Sequence, residues 1–317
     1  MLIPMHMRTA RALRPASRPA LQAGFSLVEL MVSMAIGLIV SLAVMMGYLG
    51  ATQAQRGQTD LTRLQESARF TFDLFGRESR HAAFRDNSKA RATGNLSWGT
   101  TVASNTYLNA SNDASSITPS GGTAATVINS GDTIVFRYYG MDNVGGTAAD
   151  GTILNCSGAA VRSNDLNEDT LYIARDTTNT STDASGEPTL FCVSRLVSGG
   201  TSTTGAAVPL IAGIESMQIL YGEDTDATAD GIINHYVPAS GLTNTDFTRV
   251  IALMVSVVVR SPTRSGFTTA IKLNHFGTDY APSDTAPSGD LGAVFTSPAD
   301  GRIRRVYNST FALRNAL

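Results

Sequence analysis

The residues able to do chemistry in this chain fall into three small groups. The first is Gly24-Phe25-Ser26-Leu27-Val28-Glu29, at the edge of an apolar run. Glu29 is the last charge before 26 uncharged residues, Leu30 to Gln55. A carboxylate inside an apolar run costs at least ~2.5 kcal/mol on insertion scales, so keeping one calls for a partner. A cut after Gly24 makes Glu29 the fifth residue, about one helical turn from a new cationic amine on Phe25. The matching amine of a neighbouring subunit can then pair with Glu29 in a helical bundle. The second group is Cys156 and Cys192. The third is Asp224, Asp226 and Asp230, oxygen ligands of the kind calcium takes, followed by Gly231.

Composition narrows what these groups can serve. Charged residues are 16% of 317, against roughly 25% in soluble domains. Lys and Arg number 24 and Asp and Glu 26, which excludes a generally basic nucleic-acid binder. Of the basic residues only Lys89 and Lys272 are lysine; the rest are arginine. No GxSxG, HExxH, P-loop or dinucleotide fingerprint occurs, so no enzyme class is indicated. His81, His235 and His275 read as surface or packing residues.

The elements follow from patterning. Arg8, Arg11, Arg14 and Arg18 precede the apolar run and no acid does, which places residues 1–24 in the cytoplasm and the rest outside. The run is long enough to span a bilayer. A secretory signal keeps its apolar core before the cleavage site; here it lies after Gly24, and an uncleaved signal anchor is the simpler alternative. Leu61, Leu64, Ala68, Phe72 and Phe75 continue one helical face, so a single helix from Phe25 to about Phe84 is expected. Residues 87–131, with Trp98, read as loops with one short strand. Strands are expected at 133–139, 170–175, 190–197, 214–222, 250–261 and 303–315. The 250–261 run is apolar on both faces and suits a central strand. Loops are expected at 176–188, 198–207 and 277–301, and Asp165, Asn167 and Asp169 read as a turn.

Gly24 to Glu29, followed by an apolar helix, resembles the class III signal of type IV pilins and pseudopilins. RESRHAAF, GDTIVFRYYG, LIAGIESMQILYGEDTD, VIALMVSVVVRS and DGRIRRVYNSTFALRN resemble the PilW-type minor pilins. The resemblance implies an α+β type IV pilin fold, with a long N-terminal helix packed on an antiparallel β-sheet head. The expected divisions are a leader at 1–24, a transmembrane and filament-core helix at 25–55, an amphipathic helix at 56–86 and a periplasmic head at 87–317. It implies prepilin peptidase cleavage between Gly24 and Phe25, N-methylation of Phe25 and a docking role for Glu29. The implied partners are other minor pilins, the major pilin, a tip adhesin and the inner-membrane assembly platform. A type II secretion minor pseudopilin of the J type shares signal and helix. A calcium-dependent adhesive or ligand-binding module at the pilus tip is a reading of another class.

On the exported side a Cys156–Cys192 disulfide suits the compartment. It would stabilise the head by roughly 3–4 kcal/mol in the chain-entropy model; two free thiols and a metal site are the alternatives. At the aspartate run, Thr228 stands where a calcium loop wants its third acid. PilW-like chains often show a tighter Asp-x-Asp-x-Asp-Gly run, and this one carries two extra residues. A solvated hairpin turn between Tyr221 and Tyr236 is the simpler reading and calcium the other; no other cofactor is expected. Without residues 1–24 the chain has 20 basic and 26 acidic residues, net −6.

Overall fold

A computed structural model of the protein describes residues 24–86, 106–228, 230–267 and 269–316. The leader before Gly24, Lys89 and Trp98 lie outside them. A helix, α1, runs from Leu27 to His81. The chain divides after Ala54 into two compact units.

The first unit is the apolar half of α1. It is long and apolar enough to cross a membrane, and none of that stretch is buried. Its polar side chains are handled locally. The hydroxyls of Ser33, Ser41 and Thr52 donate to the carbonyls of Leu30, Gly37 and Leu49 at 2.8–2.9 Å. These three serine and threonine hydroxyls therefore enter an apolar medium already bonded, which lowers the cost of residence in lipid.

In the second unit α1 buries Asp60, Leu64, Ala68, Thr71, Phe75 and Glu78. The expected face is corrected at two places. Leu61 is exposed, and the buried stripe carries two carboxylates. The stripe follows steps of three and four from Asp60, which leaves Leu61 off the contact line. α1 stops where Ala83 turns to φ 61° and donates its N–H to the carbonyl of Arg137 at 3.0 Å. The sheet takes over the hydrogen bond that another helical turn would have made.

The first sheet contains β1 (Leu108–Ile117), β2 (Ala125–Tyr139), β3 (Leu166–Asp176), β4 (Glu187–Ser198), β5 (Thr201–Thr204) and β6 (Val208–Ala212). Its order is β1-β2-β3-β4-β5, with β6 also on β4. The second sheet contains β7 (Ile214–Glu223), β8 (His235–Pro238), β9 (Val250–Phe267) and β12 (Gly301–Ala312), in the order β12-β9-β7-β8. β10 (Lys272–Asn274) and β11 (Val294–Thr296) form a separate pair. All pairings are antiparallel. β9 is internal, as its two-sided apolar pattern requires.

The one strand expected within 87–131 is β1, longer than expected and joined there by the start of β2. Three other expectations fail: β5 occupies the loop at 198–207, β11 the loop at 277–301, and β3 the turn read at Asn167 and Asp169. Asn167 and Asp169 lie in β3 and are fully buried, with only Asp165 in the preceding turn. Cross-strand pairing supplied by neighbours overrides weak local propensity at such positions. Phe75, Phe136, Ile173, Leu190, Met217, Leu253 and Val257 share one core, formed by α1 and both sheets.

Candidate functional site

The N-terminal site is a helix start. Ser26 caps α1: the Glu29 N–H reaches the Ser26 carbonyl at 3.1 Å and its hydroxyl oxygen at 3.2 Å, and Leu30 N–H reaches the same carbonyl at 3.1 Å. Glu29 is thus the third helical residue, where a carboxylate favours the positive end of the helix. Ser26-x-x-Glu29 is the sequence form of a capping box, a signal the reading of the processing motif passed over. Gly24 and Phe25 precede the helix, outside regular secondary structure. Phe25 is 83% exposed, so the bond between them is open to an approaching protein.

The head carries buried charge that position in sequence does not reveal. Glu78 and Asp169 are both fully buried. Asp169 Oδ2 accepts the Tyr138 hydroxyl at 2.6 Å and the Cys156 N–H at 2.8 Å. Glu78 Oε1 accepts from Arg77 at 3.1 Å. Glu78 Oε2 and Asp169 Oδ1 find no donor. Burial and the Asp169 carboxylate push Glu78 up to about 8, so the pair holds a proton at neutral pH. The His81 ring lies tilted at 56° against Tyr138 with centroids 5.2 Å apart; burial and the Arg77 charge hold it neutral, down to about 4.

A second polar group joins the two sheets. Arg260 on β9 donates through Nη2 to Glu187 Oε2 at 2.9 Å and through Nη1 to Asp183 Oδ2 at 3.2 Å. Arg304 on β12 contacts Glu215 of β7 and Asp300. Asp60 of α1 accepts the Thr263 hydroxyl. The side chains of Arg260, Glu187, Glu215 and Arg304 are at most 6% exposed. Nothing here resembles a nucleophile and base facing a cleft. His275 is fully buried between the hydroxyls of Ser216 at 3.0 Å and Ser256 at 2.9 Å, and burial lowers it to about 3. His235 is half exposed and lies 3.1 Å from Glu223.

Cys156 and Cys192 are joined in a disulfide that ties the 156 loop to β4. The aspartates lie in the connection from β7 to β8, with oxygens of all three within 4.8 Å. Asp224 is buried and accepts the backbone N–H groups of Asp226 at 3.3 Å, Asp230 at 3.0 Å and Gly231 at 2.8 Å. Asp230 accepts the Ile232 N–H at 2.8 Å. This is the bonding of a tight turn, closed by the chain's own donors.

Residues 170–315 match the family described as Type IV Pilus-assembly protein W, and residues 20–45 match the prokaryotic N-terminal methylation motif. A type IV-like pilin from Thermus thermophilus is a structural neighbour, with a TM-score of 0.40 and 14% identity, covering 80% of this chain and 99% of that one. No curated protein matches the chain. One match falls on the signal and helix start and the other on the strands from β3 to β12, and together they support a PilW-type type IV pilin with a class III signal.

Proposed function

We propose that this pilin is a minor subunit of a type IV pilus, one that helps prime assembly and takes a place in the tip complex. The observation that carries the reading is the division of α1. Its first half is apolar and uncovered, with Leu27 and Met46 more than 70% exposed, while its second half is sunk into the head. An apolar face of that length needs lipid before assembly and the helices of neighbouring subunits afterwards.

Before assembly the subunit sits in the inner membrane, N-terminus cytoplasmic and head periplasmic. Prepilin peptidase cuts between Gly24 and Phe25 and methylates the new amine. Glu29, fixed in the first helical turn by Ser26, then meets the Phe25 amine of an adjacent subunit. The desolvated pair offsets the cost of the buried carboxylate and sets the axial register of the incoming helix. The partners are other minor pilins, the major pilin, the assembly platform and a tip adhesin; nucleic acid is not among them. The subunit performs no reaction and needs no cofactor, and the aspartate loop acts as a turn.

Mass spectrometry of the mature protein tests the signal. The expected N-terminus is N-methylated Phe25, and any other start refutes the proposed processing. Deleting the gene tests the role: loss of surface pili is expected, and normal piliation with lost type II secretion would favour the pseudopilin reading.

A further inference from the structure

The face of the first sheet that turns away from the main core carries a row of charge. In the strand register Arg137 of β2 lies opposite Glu168 of β3, and Glu168 lies opposite Arg195 of β4. Arg137 Nε donates to Glu168 Oε1 at 2.8 Å, and Arg195 Nη1 donates to Oε2 at 2.6 Å. Two guanidiniums therefore share one carboxylate, which leaves the row one positive charge in excess. Arg137 and Glu168 are more than nine-tenths buried. Arg195 Nε is buried and donates to nothing.

Above this row lies a groove of about 210 Å³, roofed on one side by residues 117–120. Ser111, Thr133 and Thr170 line it beside the charged row, with the amide of Asn109. Thr133 and Thr170 are buried as residues yet border the groove. The volume lies below the roughly 300 Å³ at which drug-sized sites begin, so the space fits a ligand of about one ring. An excess of forked donors on a net-acidic chain selects a planar anion, and a carboxylate matches the fork.

From this we infer that the groove binds a small carboxylated polyol, a sugar acid of one ring. Its carboxylate lies against the Arg137–Arg195 row and its hydroxyls against Ser111, Thr133, Thr170 and Asn109. The inference is independent of the assembly role, because it uses the face of the sheet away from α1 and the shared core.

The test is calorimetric titration of the full-length protein in detergent with glucuronate, and with glucose and sulfate as controls. Glucuronate is expected to bind at least about tenfold more tightly than glucose, and Arg195→Gln to weaken it by about tenfold or more. Ser111→Phe, at an exposed β1 position that leaves the ion row intact, is expected to abolish binding. That variant decides the matter should Arg195→Gln fail to fold. Equal affinity for glucose and glucuronate, no binding of glucuronate, or glucuronate affinity unchanged by Ser111→Phe would each overturn the assignment. Sulfate binding as tightly as glucuronate would overturn the sugar-acid assignment in favour of a bare anion site.

Discussion

Replacing Glu78 by glutamine probes the joint between α1 and the first sheet. The carboxyl is fully buried, and its neighbours are Arg77 on its own helix and Asp169 on β3, with Tyr138 of β2 bonded to that aspartate. Burial first and Asp169 second move it from 4.5 to about 8. The folded chain thus retains a proton that the unfolded chain releases. The stability this group contributes is complete below the unfolded value near 4.5 and is lost as pH rises to about 8. The slope in that window is ~1.4 kcal/mol per pH unit, and the whole effect is on the order of 4–5 kcal/mol. Glutamine keeps the shape, can donate an N–H to Asp169 and does not titrate.

The assay is urea unfolding of the full-length protein in detergent, wild type beside Glu78→Gln, from about pH 6 to about pH 8, where ordinary carboxylates are already ionised. His81 and His275 are lowered from 6.5, to about 4 and about 3, and both are present in wild type and variant alike, so their titration cancels in the comparison. The stability of Glu78→Gln relative to wild type should rise by ~1.4 kcal/mol for each pH unit. A difference that stays flat across the range refutes the shared proton.

Three further outcomes follow from the geometry. Replacing Cys156 and Cys192 by serine opens a crosslink between residues 36 apart, and should lower unfolding stability by roughly 3–4 kcal/mol in urea. His275 is held neutral by burial, to about 3, so it stabilises the fold above about 6.5 and that stability is lost as pH falls toward 3; His275→Gln should flatten the acid limb of a circular-dichroism titration by up to ~1.4 kcal/mol per pH unit. A Cβ at Gly140 would lie 1.8 Å from the Val161 carbonyl oxygen, which is backbone and cannot step aside; Gly140→Ala should cost about 3 kcal/mol in thermal unfolding, the upper end for overpacking.

What could be read from the sequence was periodic or local. The helix is the clearest case: the charge-free run and the face through Leu64, Ala68 and Phe75 place α1 to within a few residues. β9 declared itself central by being apolar on both faces. Elements held by long-range pairing were not legible. β1 lies in a stretch that reads as loops with one short strand whose place is not marked, because Asn109, Ser111 and Ser116 have no strand preference of their own; β2 supplies the partners. Asp60 and Glu78 look like members of a solvated face, and only the sheet packed on α1 turns that face inward. Asp169 looks like a turn acid, yet it accepts hydrogen bonds from residues 13 and 31 positions away. Ser26-x-x-Glu29 was legible but carries two meanings at once, helix cap and processing signal.

The near absence of lysine has a physical reason in the head. Arg137, Arg260, Arg302 and Arg304 are all buried, and each bonds more than one acceptor. Arg260 shows why the fork is needed. Its Nε and Nη2 hold both oxygens of Glu187, at 3.3 and 2.9 Å, while Nη1 turns to Asp183 at 3.2 Å. A lysine has one nitrogen and cannot hold both carboxylates in that geometry. Arg260→Lys would keep the charge yet leave Glu187 or Asp183 short of donors. Breaking a buried pair costs about 3–5 kcal/mol when a charge is stranded. With the charge retained, a loss of about 2–3 kcal/mol is expected, near that of one or two charged hydrogen bonds. Urea unfolding at neutral pH measures it. If Arg260→Lys is as stable as wild type, charge alone holds the sheets together and the forked geometry does not explain the arginine bias.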